Sequence, residues 1–256
     1  ASVWRQPAPK LHHIPNGIET RLYAQPPEPG SIAWLERCEG DVVIGTLAGL
    51  RTVKNLPRLV RAFATLPGNA KLVIVGEGPE RAAIMAEAQR LGVAGRIVMP
   101  GFLAQPHRYI GHFDVFALSS DSEQFPISLV EAMAAGLPVV STDVGDVKAM
   151  VAADNAALVV PVRDEAAFGM ALEGLVGDAV QRQKLGAANR QRARAEYDER
   201  AMISRYATLY GLPEPGACRK RQKSVRGREK SRAFCDGRVI GSPFNGKCAG
   251  ARCSRV

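Results

Sequence analysis

The sequence predicts an α/β fold, a parallel β-sheet flanked by helices. Two observations carry this. Six short apolar runs rich in β-branched residues recur between residues 41 and 162, and helical patterns separate them. The runs are nearly continuous rather than alternating, as strands buried on both faces require. Repeated strand–helix units then imply parallel neighbours joined by right-handed crossovers.

The predicted strands cover 41–48, 71–76, 96–100, 114–119, 137–142 and 157–162. The helical patterns cover 55–66, 79–91, a short stretch near 107–111, and 126–135. Three more follow the last strand, near 164–176, 178–196 and 198–210, with Asp164 and Asp198 as predicted N-caps. Residues 1–30 are proline-rich, and 11–18 (LHHIPNGI) read as a short strand entering an Asn16–Gly17 turn. The expected organisation is an interdomain linker over 1–10, one Rossmann-like α/β domain over 11–212, and a basic tail over 213–256.

At 256 residues and 46% apolar, the chain has the composition of a globular protein. No apolar run approaches the ~18 residues a membrane span needs, and the first ten residues have no signal-like apolar core. The net charge of +9 is localised. Residues 213–256 hold 12 Lys/Arg and 3 Asp/Glu, while the preceding 212 hold 22 of each. The basic balance therefore says nothing about the partner of the main domain. Four of the five cysteines also fall in the tail, so the body has no disulfide framework. A cytoplasmic location is the expectation. The cluster 219–232 leaves peripheral contact with an anionic membrane open, and no aromatic-rich motif supports nucleic-acid binding.

In an open parallel sheet, ligands bind beyond the carboxyl ends of the strands. The most informative loop there is 119–131, SSDSEQFPISLVE. Pro126 suits the first turn of a helix and keeps Phe125 extended. The N–H groups of Ile127, Ser128 and Leu129 then form an anion site suited to phosphate. Glu123 precedes that site, and Glu131 leans back toward it from one turn into the helix. Helix N–H groups for phosphate and carboxylates for hydroxyls match a ligand carrying both. On spacing alone, helix-dipole complementation by Glu131 and a solvated Glu123 explain the pattern equally well.

The string EQFPISLVE, with seven residues between Glu123 and Glu131, resembles retaining glycosyltransferases of the two-Rossmann-domain (GT-B) architecture. Its continuation through residue 147 (EAMAAGLPVVSTDVGDV) resembles family 4 of that group. HIPNGIE (13–19), KNLPRLVRAFATL (54–66) and LVIVGEGPER (72–81) resemble further family segments in the same order. The resemblance covers residues 11–212. It implies a Rossmann-like fold, the C-terminal half of a GT-B enzyme, and transfer of a sugar from a nucleotide-diphospho-sugar with retention.

By that resemblance, Lys54 holds the diphosphate and acts with Glu123 in catalysis, Glu123 binding the sugar hydroxyls. Glu131 takes the ribose hydroxyls. The segment Gln124, Phe125, Pro126, Ile127, Ser128 contributes backbone donors. Gly76 and Gly78 form a turn with close ligand approach, and Leu103 lies near the base. Where the family has an arginine, this chain has Gly49, and Arg51 is the expected substitute. No metal or cofactor is expected. Asp121–Ser122–Glu123 imitates an Asp-x-Asp metal motif, but phosphate already has Lys54 and the helix. His12, His13, His107 and His112 lack ligand spacing, and His112 is expected to pack beside Phe113.

The resemblance also implies an acceptor held by an N-terminal domain, a chain inactive alone, and an exposed apolar face on the last helices that invites self-association. Two rival readings share the same anion site: a nucleotide-binding regulatory module, and a GT-B nucleotide-sugar epimerase.

Overall fold

A computed structural model describes residues 11–213. The linker over 1–10 and the basic tail beyond Pro213 lie outside the described residues. Six strands form one parallel sheet: β1 (Val42–Leu47), β2 (Ala70–Val75), β3 (Ile97–Gly101), β4 (Val115–Leu118), β5 (Val139–Thr142) and β6 (Val159–Val160). Their order is β3-β2-β1-β4-β5-β6. Every predicted strand between 41 and 162 forms; β2 and β3 are shifted by one residue from the expected bounds, and the other four are shorter than expected.

The crossover helices are α1 (Leu56–Ala64), α2 (Arg81–Arg90), α3 (Ile127–Ala135) and the short α4 (Val147–Met150). Three follow the sheet: α5 (Glu165–Gly177), α6 (Ala179–Glu196) and α7 (Glu199–Leu209). The Asp164 and Asp198 side chains accept N–H bonds from Ala167 and Arg200, as N-caps do, and Asp178 caps α6 in the same way.

Alternate residues of each strand feed two cores. Val43, Val73, Phe116 and Val139 meet α3 and α4 on one face. Ile44, Leu72, Val115 and Val140 meet α1, α2 and α5 on the other. Strands buried on both faces explain the continuous apolar runs.

The predicted strand over 11–18 does not form. Pro15 lacks an N–H, and only Ile18 pairs, in an isolated bridge to Asp198 beside α7. The next residues make a 3₁₀ turn, Thr20–Ala24, instead. His112 is not simply packed: its Nε2 lies 2.9 Å from the Glu28 carbonyl, tying the leading segment to the sheet. The patterns near 107–111 are two 3₁₀ turns, Pro106–Arg108 and Ile110–His112.

The strand order reverses between β1 and β4. Chain from β1 turns toward β2, and chain from β4 turns toward β5. The loops leaving β1 and β4 therefore diverge and open a crevice at the carboxyl edge, the place where doubly wound sheets bind ligands.

Candidate functional site

Lys54 and Glu123 meet across this switch point. After β1 the chain makes a 3₁₀ turn, Thr52–Lys54, and Asn55 adopts a left-handed conformation (φ 42°) before α1. Lys54 is thus outside the helix, pointed across the crevice. Its Nζ lies 2.5 Å from Glu123 Oε1, and the Ser120 hydroxyl donates to the same oxygen at 2.7 Å. Both charged side chains are largely buried, at 17% and 11% exposure.

Their two loops are stitched together below this pair. Asp121 N–H donates to the Val53 carbonyl and the Ser119 hydroxyl to the Lys54 carbonyl. Arg58, buried in α1, donates to the Ser119 carbonyl at 2.9 Å and pairs with Asp121 at 2.9 Å. Sequence reasoning passed over Arg58, because a charged residue on a predicted helix ordinarily faces water. Asp121 and Glu123 take separate cations and do not converge as a metal motif would. Among the described residues, no group of three or more His, Cys, Asp or Glu is placed to hold a metal ion.

Helix α3 begins beside Glu123. Pro126 is its N-cap, with extended ψ of 113°, rather than a first-turn residue. The N–H groups of Gln124, Phe125, Ile127 and Ser128 have no hydrogen-bond partner among the described residues. Leu129 is a correction: its N–H donates to the Pro126 carbonyl and is not available. Asp146 N–H donates to the Gln124 carbonyl. Gly145 (φ 53°) makes this contact possible, since a Cβ there would lie 2.4 Å from the Glu123 carbonyl oxygen. The Phe125 ring turns away from the crevice and packs edge-on against Tyr197.

Glu131, one turn into α3, lines a cleft of about 450 Å³ with Leu47, Gly76, Phe102, Leu103 and Tyr109. Leu47 and Ala48 also line the small cavity containing Lys54 and Glu123, so the two spaces share a wall at the end of β1. The Tyr23 hydroxyl donates to Glu131 Oε1 at 2.9 Å. Burial pushes the Glu131 carboxyl above the usual carboxylate range, and the Tyr23 hydrogen bond pulls it partway back.

Gly76 and Gly78 also approach backbone of the chain itself. Both have positive φ, and a Cβ would meet Ala48 O at 1.9 Å and Leu50 O at 2.4 Å respectively. That backbone belongs to the β1–α1 loop. Gly76 still lines the cleft; Gly78 does not. Arg51 is exposed, and its side chain makes no hydrogen bond or ion pair among the described residues, while its backbone bonds Gly49 and Lys54. Its Nε lies 3.6 Å from where a Cβ on Gly49 would sit. The guanidinium therefore lies beside the place a residue-49 side chain would start from.

A doubly wound sheet with a cation, two carboxylates and free helix N–H groups at its switch point defines a phosphate-and-hydroxyl-binding α/β domain. Residues 34–192 match the family described as glycosyl transferases group 1. The match spans more than half of the sequence, and the chain belongs to that family. Similar curated proteins include N-acetyl-alpha-D-glucosaminyl L-malate synthase of Bacillus anthracis, 26% identical over 67% of this chain and 46% of that protein. Another is a Campylobacter jejuni diphospho-undecaprenol N-acetylgalactosaminyltransferase, 30% identical over 67% of this chain and 47% of its own length. The chain thus spans about half the length of the curated relatives it matches.

Among solved structures, sucrose-phosphate synthase from Thermosynechococcus elongatus aligns with TM-score 0.69 and 25% identity, over 77% of this chain and 51% of that one. Anabaena HepE, solved with UDP and glucose, aligns with TM-score 0.71 and 23% identity, over 81% and 59%. These matches show that the Rossmann-like sheet is one found in GT-B glycosyltransferase structures. Among the described residues, no helix is long and apolar enough to cross a membrane.

Proposed function

We propose that this chain is the donor-binding half of a retaining, family 4-type GT-B glycosyltransferase, taking a nucleotide-diphospho-sugar. The observation that carries the reading is the Lys54–Glu123 pair at the switch point, beside the free N–H groups of Ile127 and Ser128. In the protein alone, Lys54 and Glu123 neutralise each other. A donor exchanges that contact: its diphosphate takes Lys54, Arg51 and the α3 N-terminus, and its sugar hydroxyls take Glu123. The nucleoside enters the neighbouring cleft, ribose hydroxyls donating to Glu131 and the base lying against Leu103 and Phe102.

Transfer needs the nucleoside diphosphate to leave. Negative charge grows on its oxygens as the glycosidic bond stretches. Preorganised donors aimed at that charge contribute roughly 3–4 kcal/mol each. Lys54, Arg51 and the two free N–H groups fill this role without a metal. Glu123 is not a nucleophile here; the acceptor attacks from the face the diphosphate leaves, which retains configuration. The acceptor binds to the half of the enzyme that the curated relatives have and this chain does not span. The chain by itself binds donor and transfers little.

The discriminating experiment compares each nucleoside diphosphate with its nucleotide sugar. A transferase half binds the sugar form more tightly, and Glu123→Ala erases the difference. Equal affinity for both forms in the wild type would favour a nucleotide-binding regulatory module instead.

A further inference from the structure

Tyr23 stands outside every motif read from the sequence, yet it touches the site. It lies on the 3₁₀ turn Thr20–Ala24, ahead of the whole sheet, and it is 8% exposed. Its hydroxyl donates to Glu131 Oε1 at 2.9 Å. The ring is locked by the core around α3 and by an edge-on contact with His107, 6.0 Å between centroids. A rigid donor on one carboxylate oxygen fixes the carboxylate plane and leaves the other oxygen to face the cleft.

We propose that Tyr23 is a positioning residue for donor binding, its hydroxyl fixing the Glu131 carboxyl group and aiming it at the donor's hydroxyls. This rests on the donor-site reading above. The charged and titratable surroundings of Glu131 are few. Tyr109 and Glu77 share the cleft, and Tyr109's hydroxyl is committed to the Leu103 carbonyl at 3.2 Å. His107 meets Tyr23 rather than Glu131. Arg190 of α6 reaches the far end of α3, at the Ala135 carbonyl. Lys54 is engaged by Glu123. No cation pairs with Glu131 among the described residues, so a neutral hydroxyl carries the task.

The chemistry requires ionisation, since a ribose hydroxyl donates best to a carboxylate. Burial opposes ionisation and the Tyr23 hydrogen bond favours it. Tyr23→Phe deletes the hydroxyl and keeps the ring in the core. The test has two readouts. Carbon-13 NMR of labelled glutamate, with Glu131→Gln assigning the signal, follows the Glu131 titration without any donor. Calorimetry with UDP-, GDP- and ADP-glucose from pH 5 to 8 follows binding.

The expected result is that Tyr23→Phe moves the Glu131 midpoint to higher pH. It also weakens the preferred donor about three- to tenfold near the wild-type midpoint, and the gap narrows as pH rises. A purely structural tyrosine would leave the midpoint in place and give a pH-independent effect. An unmoved or lowered midpoint, or equal donor affinity at every pH, overturns the proposal. If no nucleotide sugar binds the wild type while the midpoint still moves, the donor reading fails separately, and with it the binding role of Tyr23.

Discussion

Arg58 gives the most informative single perturbation of the scaffold. It is 7% exposed and reaches from α1 to the end of β4, where it donates to Ser119 O at 2.9 Å and pairs with Asp121 at 2.9 Å. A weaker contact runs to Glu165 at 3.6 Å. Substituting Met keeps most of the buried stem and removes the guanidinium. The charge-assisted bond to a buried carbonyl is worth about 1.5–3 kcal/mol. The Asp121 pair adds little, about 0.5–1 kcal/mol, because Asp121 is 44% exposed and keeps Asn55 as a donor. Arg58→Met should therefore cost about 2–4 kcal/mol. For a domain of this size that is a fall in Tm of about 5–15 °C.

Urea unfolding monitored by circular dichroism measures it directly, with an unchanged m-value showing that the denatured state is unaffected. The loop carrying Glu123 hangs from Ser119 and Asp121, so donor affinity should fall with stability, about tenfold. A stability loss below about 0.5 kcal/mol would refute the reasoning, since it would place Arg58 among surface-like residues.

Three further outcomes follow from the same geometry. Gly76→Ala forces a Cβ to within 1.9 Å of the Ala48 carbonyl oxygen at φ 138°, so backbone must shift; a loss above about 2 kcal/mol is expected by urea unfolding. Glu131→Gln removes a carboxyl whose folded pKa is raised by burial. That group favours the folded state below its unfolded pKa, and the contribution is lost as pH rises through the folded value. The Gln variant should accordingly match wild type near pH 4, exceed it in Tm at neutral pH, and bind donor worse. Arg51→Ala touches no partner in the fold, so Tm should stay within about 2 °C. Its donor affinity should drop about three- to tenfold, more at low salt than at high, by calorimetry at two ionic strengths.

Much of this arrangement was legible in the sequence for a physical reason. Strands buried on both faces leave continuous β-branched runs, and 42–47 and 115–118 could not be mistaken for helix. The α3 N-terminus was legible because Pro126 marks it locally. The leading segment was misread because 11–18 looks apolar, while Pro15 and a lone Ile18 bridge deny it a ladder. Leu129 was misjudged because the exact turn geometry at an N-cap depends on one ψ angle, here that of Pro126. The self-approach of Gly76 and Gly78 was hidden because the backbone they meet lies about 28 positions earlier, in the β1–α1 loop. Tyr23 and Arg58 went unseen for the same cause. Their partners lie 108 and 61 residues away, and no periodicity encodes a contact at that range.

The apolar surface of α7 fits the expectation of an exposed face, with Ile203, Tyr206 and Leu209 each at least 40% exposed. Whether copies of the chain associate through it is a separate question, answered by sedimentation of wild type against Ile203→Glu; we propose that the variant is the more monomeric.

The central claim is that the switch point binds a nucleotide sugar through Lys54 and Glu131. Its most direct test is a calorimetric titration with UDP-, GDP- and ADP-glucose in EDTA, on wild type, Lys54→Ala and Glu131→Ala. The account predicts saturable, metal-independent binding of one donor, weakened about 10- to 100-fold in each variant. Binding that persists unchanged in both variants, or that appears only when a divalent metal is restored, would contradict it.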